Sequence, residues 1–299
     1  MKDFFSHYGW IIVAGALITL TLMYTNPMTE AVGTQEMTMG DLLADKTMEM
    51  AGLKETTPII DGTNIILSND ADGNGVVSKG DTLTFDKTYL YENAASTSPD
   101  QFLVLKTDGY DVELLAKANY QNSKFNISSV PTTDNKGQFA QKYDGSTFDT
   151  LLNTTYYNSL SDTVKGMIKS KEITQYSWEW NGDTTEASSW YKSEFTEADT
   201  SGTVYRLSNT GTVGTYERNV YALDVQDVVE YLGTTFTPQQ LNTMFFEINA
   251  NVSRFAWLRS ASYGSKSGAF YVAGRSGYLI DGFYNSPAEV HPAFTITLN

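Results

Sequence analysis

Residues 255–299 read FAWLRSASYGSKSGAFYVAGRSGYLIDGFYNSPAEVHPAFTITLN, and the fold turns on how they are taken. Apolar pieces frame the stretch, Phe255–Leu258 at its start and Phe294–Leu298 at its end. More than half of residues Ser260–Ser286 are Ser, Gly, Tyr or Asn, broken by the apolar runs Ala269–Val272 and Tyr278–Ile280. Two readings fit. The first is a meander of strands punctuated by Gly and Ser. The second is a displayed contact surface, in which Tyr supplies rigid amphipathic area and Ser, Gly and Asn supply adaptable polar neighbours. The second reading makes Ser262, Tyr263, Tyr271, Arg275, Tyr278, Tyr284 and Asn285 candidate ligand-binding residues. Arg259 joins them as a ligand contact, or else serves as a structural arginine paired with a carboxylate beneath the loops.

Outward from that stretch, composition narrows the function classes. The chain has 299 residues, room for one large domain or two ordinary ones. Its formal net charge of -15 argues against a nucleic-acid partner, because phosphate binding needs clustered Lys and Arg. There is no cysteine, which excludes disulfides, thiolate-bound zinc and thiol nucleophiles. Such a composition suits a bacterial cell-surface or extracellular protein. Only two histidines occur, His7 and His291, a poor basis for a His triad or a His-rich metal site. No G-x-S-x-G, P-loop or H-E-x-x-H pattern is present. A glycosidase would need two opposed carboxylates, and no spacing singles out a pair. The expectation is a protein that is not an enzyme.

At the other end, Gly9–Tyr24 carries no charge. A helix from Phe4 to Tyr24 would be about 30 Å long, matching a bilayer core, and Asn26-Pro27 would stop it. The segment reads as a retained membrane anchor, as a filament core of the pilin kind, or as a cleaved signal. The last reading is weakened by a basic flank resting on Lys2 and by the lack of a small-x-small site. The chain then divides into a hydrophobic helix (1–25), a stalk (26–57) and a globular part (58–299), with 176–218 as an insertion of strands and loops.

Asp70–Asp81, DADGNGVVSKGD, fits a twelve-residue calcium loop. Asp70, Asp72, Asn74, Ser78 and Asp81 would give side-chain oxygens and Val76 a carbonyl, with Gly75 at the sharp turn. Position twelve is Asp rather than Glu, which shortens the reach. Any Ca2+ here would be structural. The competing reading is an Asp/Asn/Gly-rich hairpin turn. Phe102–Leu105 and Val112–Ala116 predict a hairpin around Thr107-Asp108-Gly109. Residues 143–171 predict two helical pieces, the second capped by Ser161. Val220–Leu223 predicts a strand, followed by a helix capped by Asp224.

Several of these pieces together carry a resemblance: Phe102–Ala116, Ser146–Ser161, Val220–Leu232, Trp257-Leu258-Arg259-Ser260 and Pro292-Ala293-Phe294. The chain resembles the bacterial DUF6273 family over roughly residues 80–299. His291 stands where that family usually has Arg before the Pro. The resemblance implies a mixed α/β C-type-lectin-like globular domain with several antiparallel strands; with the N-terminal hydrophobic helix read above placed before it, the fold class expected is α+β. It implies no assigned activity. The related formylglycine-generating enzymes work through cysteines, which this chain lacks.

The functional expectation is a non-enzymatic surface protein that displays a binding domain, in adhesion, toward a protein or glycan. The alternative is the major subunit of a pilus-like filament, self-assembling as a homo-oligomer through residues 4–24.

Overall fold

The computed structural model describes residues 60–298, except 61, 96, 130, 135–136, 181–196, 199–203, 206, 234–235, 247–253 and 275–277. The chain divides into two compact units, Met1–Thr56 and Thr57–Asn299. All described residues lie in the second. The expected N-terminal helix and stalk therefore lie outside the described residues.

The first sheet has six strands: β1 (Ile65–Asn69), β2 (Thr82–Phe85), β3 (Gln101–Asp108), β4 (Asp111–Ala116), β8 (Ile168–Lys169) and β17 (Ala293–Thr297), in the order β1-β2-β3-β4-β17-β8. Every pairing is antiparallel. The β3–β4 hairpin forms as its pattern predicts. Gly109 takes φ 60 in the two-residue connection, where a side chain would be strained. Alternate residues Phe102, Val104, Val112 and Leu114 are fully buried. The ring of Phe102 packs edge-on against Phe85 at 5.3 Å and Phe294 at 5.2 Å. Each such side chain contributes about 1.5–3 kcal/mol by leaving water.

The second sheet runs β12 (Leu207–Arg218), β9 (Lys171–Trp180), β13 (Phe255–Ser262), β14 (Gly268–Ala273), β15 (Tyr278–Phe283). β16 (Pro287–Glu289) lies against β13 and β5 (Asn122–Lys124). Two small pairs stand apart, β6 (Pro131–Thr133) with β7 (Phe139–Gln141) and β10 (Glu197–Ala198) with β11 (Val204–Tyr205). The stretch 176–218, expected as an insertion of strands and loops, holds the second half of β9 and all of β12, which pair with each other. β13 is irregular. Trp257 faces Tyr271 across the ladder, yet Ala261 faces Ala269, so β13 spends two more residues than β14 on the same interval. The excess falls in Leu258-Arg259-Ser260 and explains why Ala256–Ser262 is buried without alternation.

The α+β expectation does not hold. Antiparallel and mixed sheet dominates, and the helices are few and short. They are α1 (Lys87–Leu90), α2 (Thr147–Thr150), α3 (Asp162–Met167), α4 (Val225–Leu232) and α5 (Pro238–Phe245). A π-helical turn (Leu151–Tyr156) continues α2 into a last turn, Tyr157–Ser159. The sequence signals for helix were caps, and the caps form: Ser161 accepts from the Val164 N–H, and Asp224 and Asp227 make a capping box. The helices they open are brief, six residues after Ser161 and eight after Asp224. No helix among the described residues is long and apolar enough to cross a membrane. Val220–Leu223 is buried but joins the sheet through one bridge, Tyr221 to Ala293, rather than as a strand.

Candidate functional site

A groove of about 440 Å³ opens where β13, β14 and β15 meet β16. Its floor is aromatic. Trp257 and Tyr271, directly opposite in register, meet edge-on at 5.4 Å. Phe255 reaches the same Tyr271 ring at 4.9 Å. The indole N–H of Trp257 donates to the Ser123 carbonyl at 2.9 Å, which fixes that ring. Gly282, on β15, leaves room for Tyr271: a Cβ there would overlap the Tyr271 ring. Ser265, Ser267, Gly268, Ser286 and Pro287 also line the groove. Asp281 and Phe283 line it from β15, and Phe283 is 68% exposed. Burial first, and then the Asp281 charge, raise the Tyr271 phenol above its ordinary value, so it stays a neutral hydroxyl at physiological pH.

Of the residues singled out in the sequence, Tyr271 lines this groove. Ser262 is buried beside it and donates to Asp281 at 2.9 Å. Tyr263 is half-buried after β13, and its N–H donates to the Trp178 carbonyl. Tyr284 packs partly against the core, and Asn285 is exposed in the turn after β15. Arg275 lies outside the described residues, as does the Tyr278 side chain. Phe255, Trp257 and Phe283 were not singled out as contacts. Phe255 and Trp257 belong to the apolar frame that opens the run, and Trp257, read from the sequence as core, is 2% exposed; Phe283 lies inside the run and carries no signal of its own.

Arg259 is placed differently from the other candidates. It is buried, and its guanidinium donates to the carbonyls of Ala222 and Thr174 and to the Asp227 carboxylate. The same Asp227 oxygen accepts from the Asp224 N–H at the start of α4. Burial opposes the charge on Arg259, but Asp227 and Asp224 outweigh it and keep the group cationic. Ser260 accepts from the Val225 N–H at 2.7 Å. The Trp-Leu-Arg-Ser piece therefore docks α4 onto the irregular part of β13. A ligand would have to displace these partners to reach Arg259, so its structural role is the one the geometry supports.

His291-Pro292-Ala293-Phe294 closes the frame from the other side. His291 is buried, with Nδ1 2.9 Å from the Ala116 carbonyl and Nε2 3.2 Å from Glu289. Arg254 meets Glu289 through two nitrogens. Burial pushes the Glu289 carboxyl up, but the hydrogen bonds from His291 and Arg254 outweigh it and hold the group below its ordinary value. His291 thus contacts a carboxylate from inside the core.

The acidic loop connects β1 to β2. Carboxylate oxygens of Asp70, Asp72 and Asp81 lie within 4.8 Å of one another. Asp70 accepts from the N–H groups of Gly75, Gly73 and Asn74, with Gly75 the strongest influence holding its carboxyl below the ordinary value. Asn74 donates to Asp72 and accepts from the Val76 N–H. Ser78 reaches both Asp72 and Asp81. Asp81 is fully buried and accepts from the N–H groups of Ala71 and Ser78. The three carboxylates thus lie together with Ser78 beside them, while Asn74 turns its amide nitrogen to Asp72 and its oxygen to the Val76 N–H. The oxygen-only donor set fits a hard divalent cation such as calcium.

Fold and site together define a two-sheet domain whose framing motifs clamp its own scaffold around an aromatic groove. The chain belongs to the DUF6273 family, described as a domain of unknown function, whose model matches residues 110–298. A search of the curated proteins found no match, and a search of the solved structures found none either.

Proposed function

We propose that the chain is a non-enzymatic binding protein of the bacterial cell surface and that the groove between β13, β15 and β16 is its recognition site. The observation that carries this reading is an exposed aromatic, Phe283, beside a ligand-sized cavity floored by Trp257 and Tyr271. Phe283 is open to solvent and Tyr271 partly so, while Trp257, 2% exposed, supports the floor from the core; aromatics at a concave site are where binding energy concentrates. Two ion pairs lie away from the groove: buried Arg259 with Asp227, and partly buried Arg218 with Asp149. Among the described residues, no basic side chain lines the groove opposite Asp281. The acidic, cysteine-free composition supports a surface location and opposes a nucleic-acid partner.

The test is binding of the labelled full chain to arrays of immobilised glycans and peptides, beside Phe283→Ser and Tyr271→Ala. Ligands retained by the wild type and lost by both variants support the reading. Ligands retained equally by all three proteins place recognition elsewhere and end it.

A second proposal concerns the acidic loop: Asp70–Asp81 holds a structural calcium ion that ties β1 to β2. It is supported by Asp70, Asp72 and Asp81 lying together with Ser78 beside them. Its test is the calcium dependence of the melting temperature.

A further inference from the structure

β15, which lines the groove, is an outer strand of the second sheet, and among the described residues it pairs with β14 alone. The Tyr284 N–H donates to the Ser267 carbonyl, which sets the phase of the ladder. Tyr278, Ile280 and Gly282 turn their backbone groups toward β14, and Leu279 and Asp281 turn theirs outward. The Phe283 N–H also points outward, while its carbonyl accepts from the Ser286 N–H. Side chains alternate along the same strand. Asp281 faces Phe270 and Phe283 faces Gly268, on the face opposite Tyr271, whose ring reaches across Gly282. A compact ligand meets one of these faces. An extended chain beside β15 meets both, because its own side chains alternate in the same way.

We propose that β15 accepts an extended segment of a basic partner protein as an added strand. The inference rests on the binding reading above and adds the ligand class to it. Main-chain hydrogen bonds to Leu279, Asp281 and Phe283 hold the strand. Its residues beside Asp281 and Phe283 share one face, so the sequence it presents is basic-x-apolar or the reverse. The apolar residue covers Phe283, which is 68% exposed. The basic residue is a long one, because the Asp281 carboxylate leans inward from the edge to the hydroxyl of Ser262 on β13, beyond β14. The residue between them lies over Gly282, beside the Tyr271 ring. Charge decides the partner. Among the described residues no Lys, Arg or His lines the groove, and the chain carries a net charge of -15. A second copy would bring like charge to like charge along this edge, so Asp281 opposes self-pairing and favours a basic segment.

The experiment is an NMR titration of the ¹⁵N-labelled full chain with synthetic peptides. The first is acetyl-Thr-Val-Thr-Lys-Thr-Val-Thr-amide, which places Lys two residues from Val in either strand direction. The second carries Glu in place of Lys. Two more are the Lys peptide N-methylated at Val, Lys and Val or at the two inner threonines, which blocks one edge of the strand or the other. The expected result is saturable shifts of the Leu279, Asp281 and Phe283 amides with the Lys peptide. Binding should be weaker by about tenfold or more for the Glu peptide and for one of the two methylated peptides. Asp281→Lys should reverse the preference between Lys and Glu, and Asp281→Asn, of nearly the same shape, should abolish it. Undiminished binding of both methylated peptides would overturn strand addition. Equal affinity of the wild type for the Lys and Glu peptides would overturn the basic partner. Shifts at the same amides on raising the protein concentration, with no response to peptide, would overturn it in favour of a second copy. No shifts with any peptide, while array ligands are still lost by Phe283→Ser and Tyr271→Ala, would overturn the added strand and leave the groove as a recognition site. No shifts, with array ligands retained by both variants, would remove the groove as well.

Discussion

The ring of Tyr271 lies across the backbone of Gly282, close enough that a methyl group at position 282 would overlap it. The two residues sit diagonally on paired strands, since Tyr271 faces Ile280 and Ala269 faces Gly282. A side chain missing on β15 thus becomes a platform on β14, and the groove depends on the pair. Gly282→Ala should push Tyr271 off this seat and lower stability by about 1–3 kcal/mol, the range for overpacking a filled site. Urea unfolding followed by tryptophan fluorescence measures it. An unchanged midpoint would show that the ring does not need the glycine.

Arg259 gives the sharpest stability prediction. Replacing it by Met leaves Asp227 and two backbone carbonyls in the interior without their donor. Removing one member of a buried ion pair costs about 3–5 kcal/mol. A chemical-denaturation midpoint for Arg259→Met close to that of the wild type would contradict the clamp. Arg259→Lys should recover only part of the loss, because a single ammonium cannot reproduce the spread of the guanidinium donors.

The pH prediction comes from Glu289. Its folded-state value is lowered from 4.5, a net result of burial raising it and the His291 and Arg254 hydrogen bonds lowering it further. The folded state therefore binds this proton less readily than the unfolded chain. The contribution of Glu289 is fully present above the unfolded value and is lost as pH falls through the folded one. Unfolding free energies from pH 7 downward should show a fall below about pH 4.5. In Glu289→Gln that fall should be shallower. Parallel curves for the two proteins would mean that the Arg254–Glu289–His291 cluster contributes nothing through this group.

For the acidic loop, calcium at a hundred times its dissociation constant should add about 2.7 kcal/mol to stability, seen as a higher melting temperature reversed by a chelator. Asp81→Asn removes the buried carboxylate and should abolish the difference between calcium and chelator, whatever it does to the baseline. A melting temperature indifferent to calcium in the wild type would end the calcium proposal.

These outcomes reflect what was legible in the chain. The hairpin around Gly109 was legible because residues two apart are apolar and a glycine marks the reversal. The caps at Ser161 and Asp224 were equally plain, since their hydrogen bonds are local. The pairing of Lys171–Trp180 with Leu207–Arg218 was not, because the partners are far apart in sequence and Gly211 and Gly214 fall near the two register shifts of β12. Helix content was overread for a related reason: a cap marks where a helix begins but not how long it runs. Around the groove, Tyr271 stood out by its Ser/Gly neighbours, whereas Trp257 and Phe283 carry no sequence mark separating a lining ring from a core ring. Arg259 looked like a candidate contact because an arginine in a strand beside a polar run can face either way. The irregularity in β13 turns it inward.

The central claim, that the groove is the recognition site, is tested most directly by the array-binding ratio of Phe283→Ser to wild type. Phe283 is 68% exposed, so the substitution should move stability by no more than about 0.5 kcal/mol. The account predicts a loss of about tenfold or more in affinity for ligands retained by the wild type, with an unchanged unfolding midpoint. Full retention of those ligands by Phe283→Ser and Tyr271→Ala alike would contradict it.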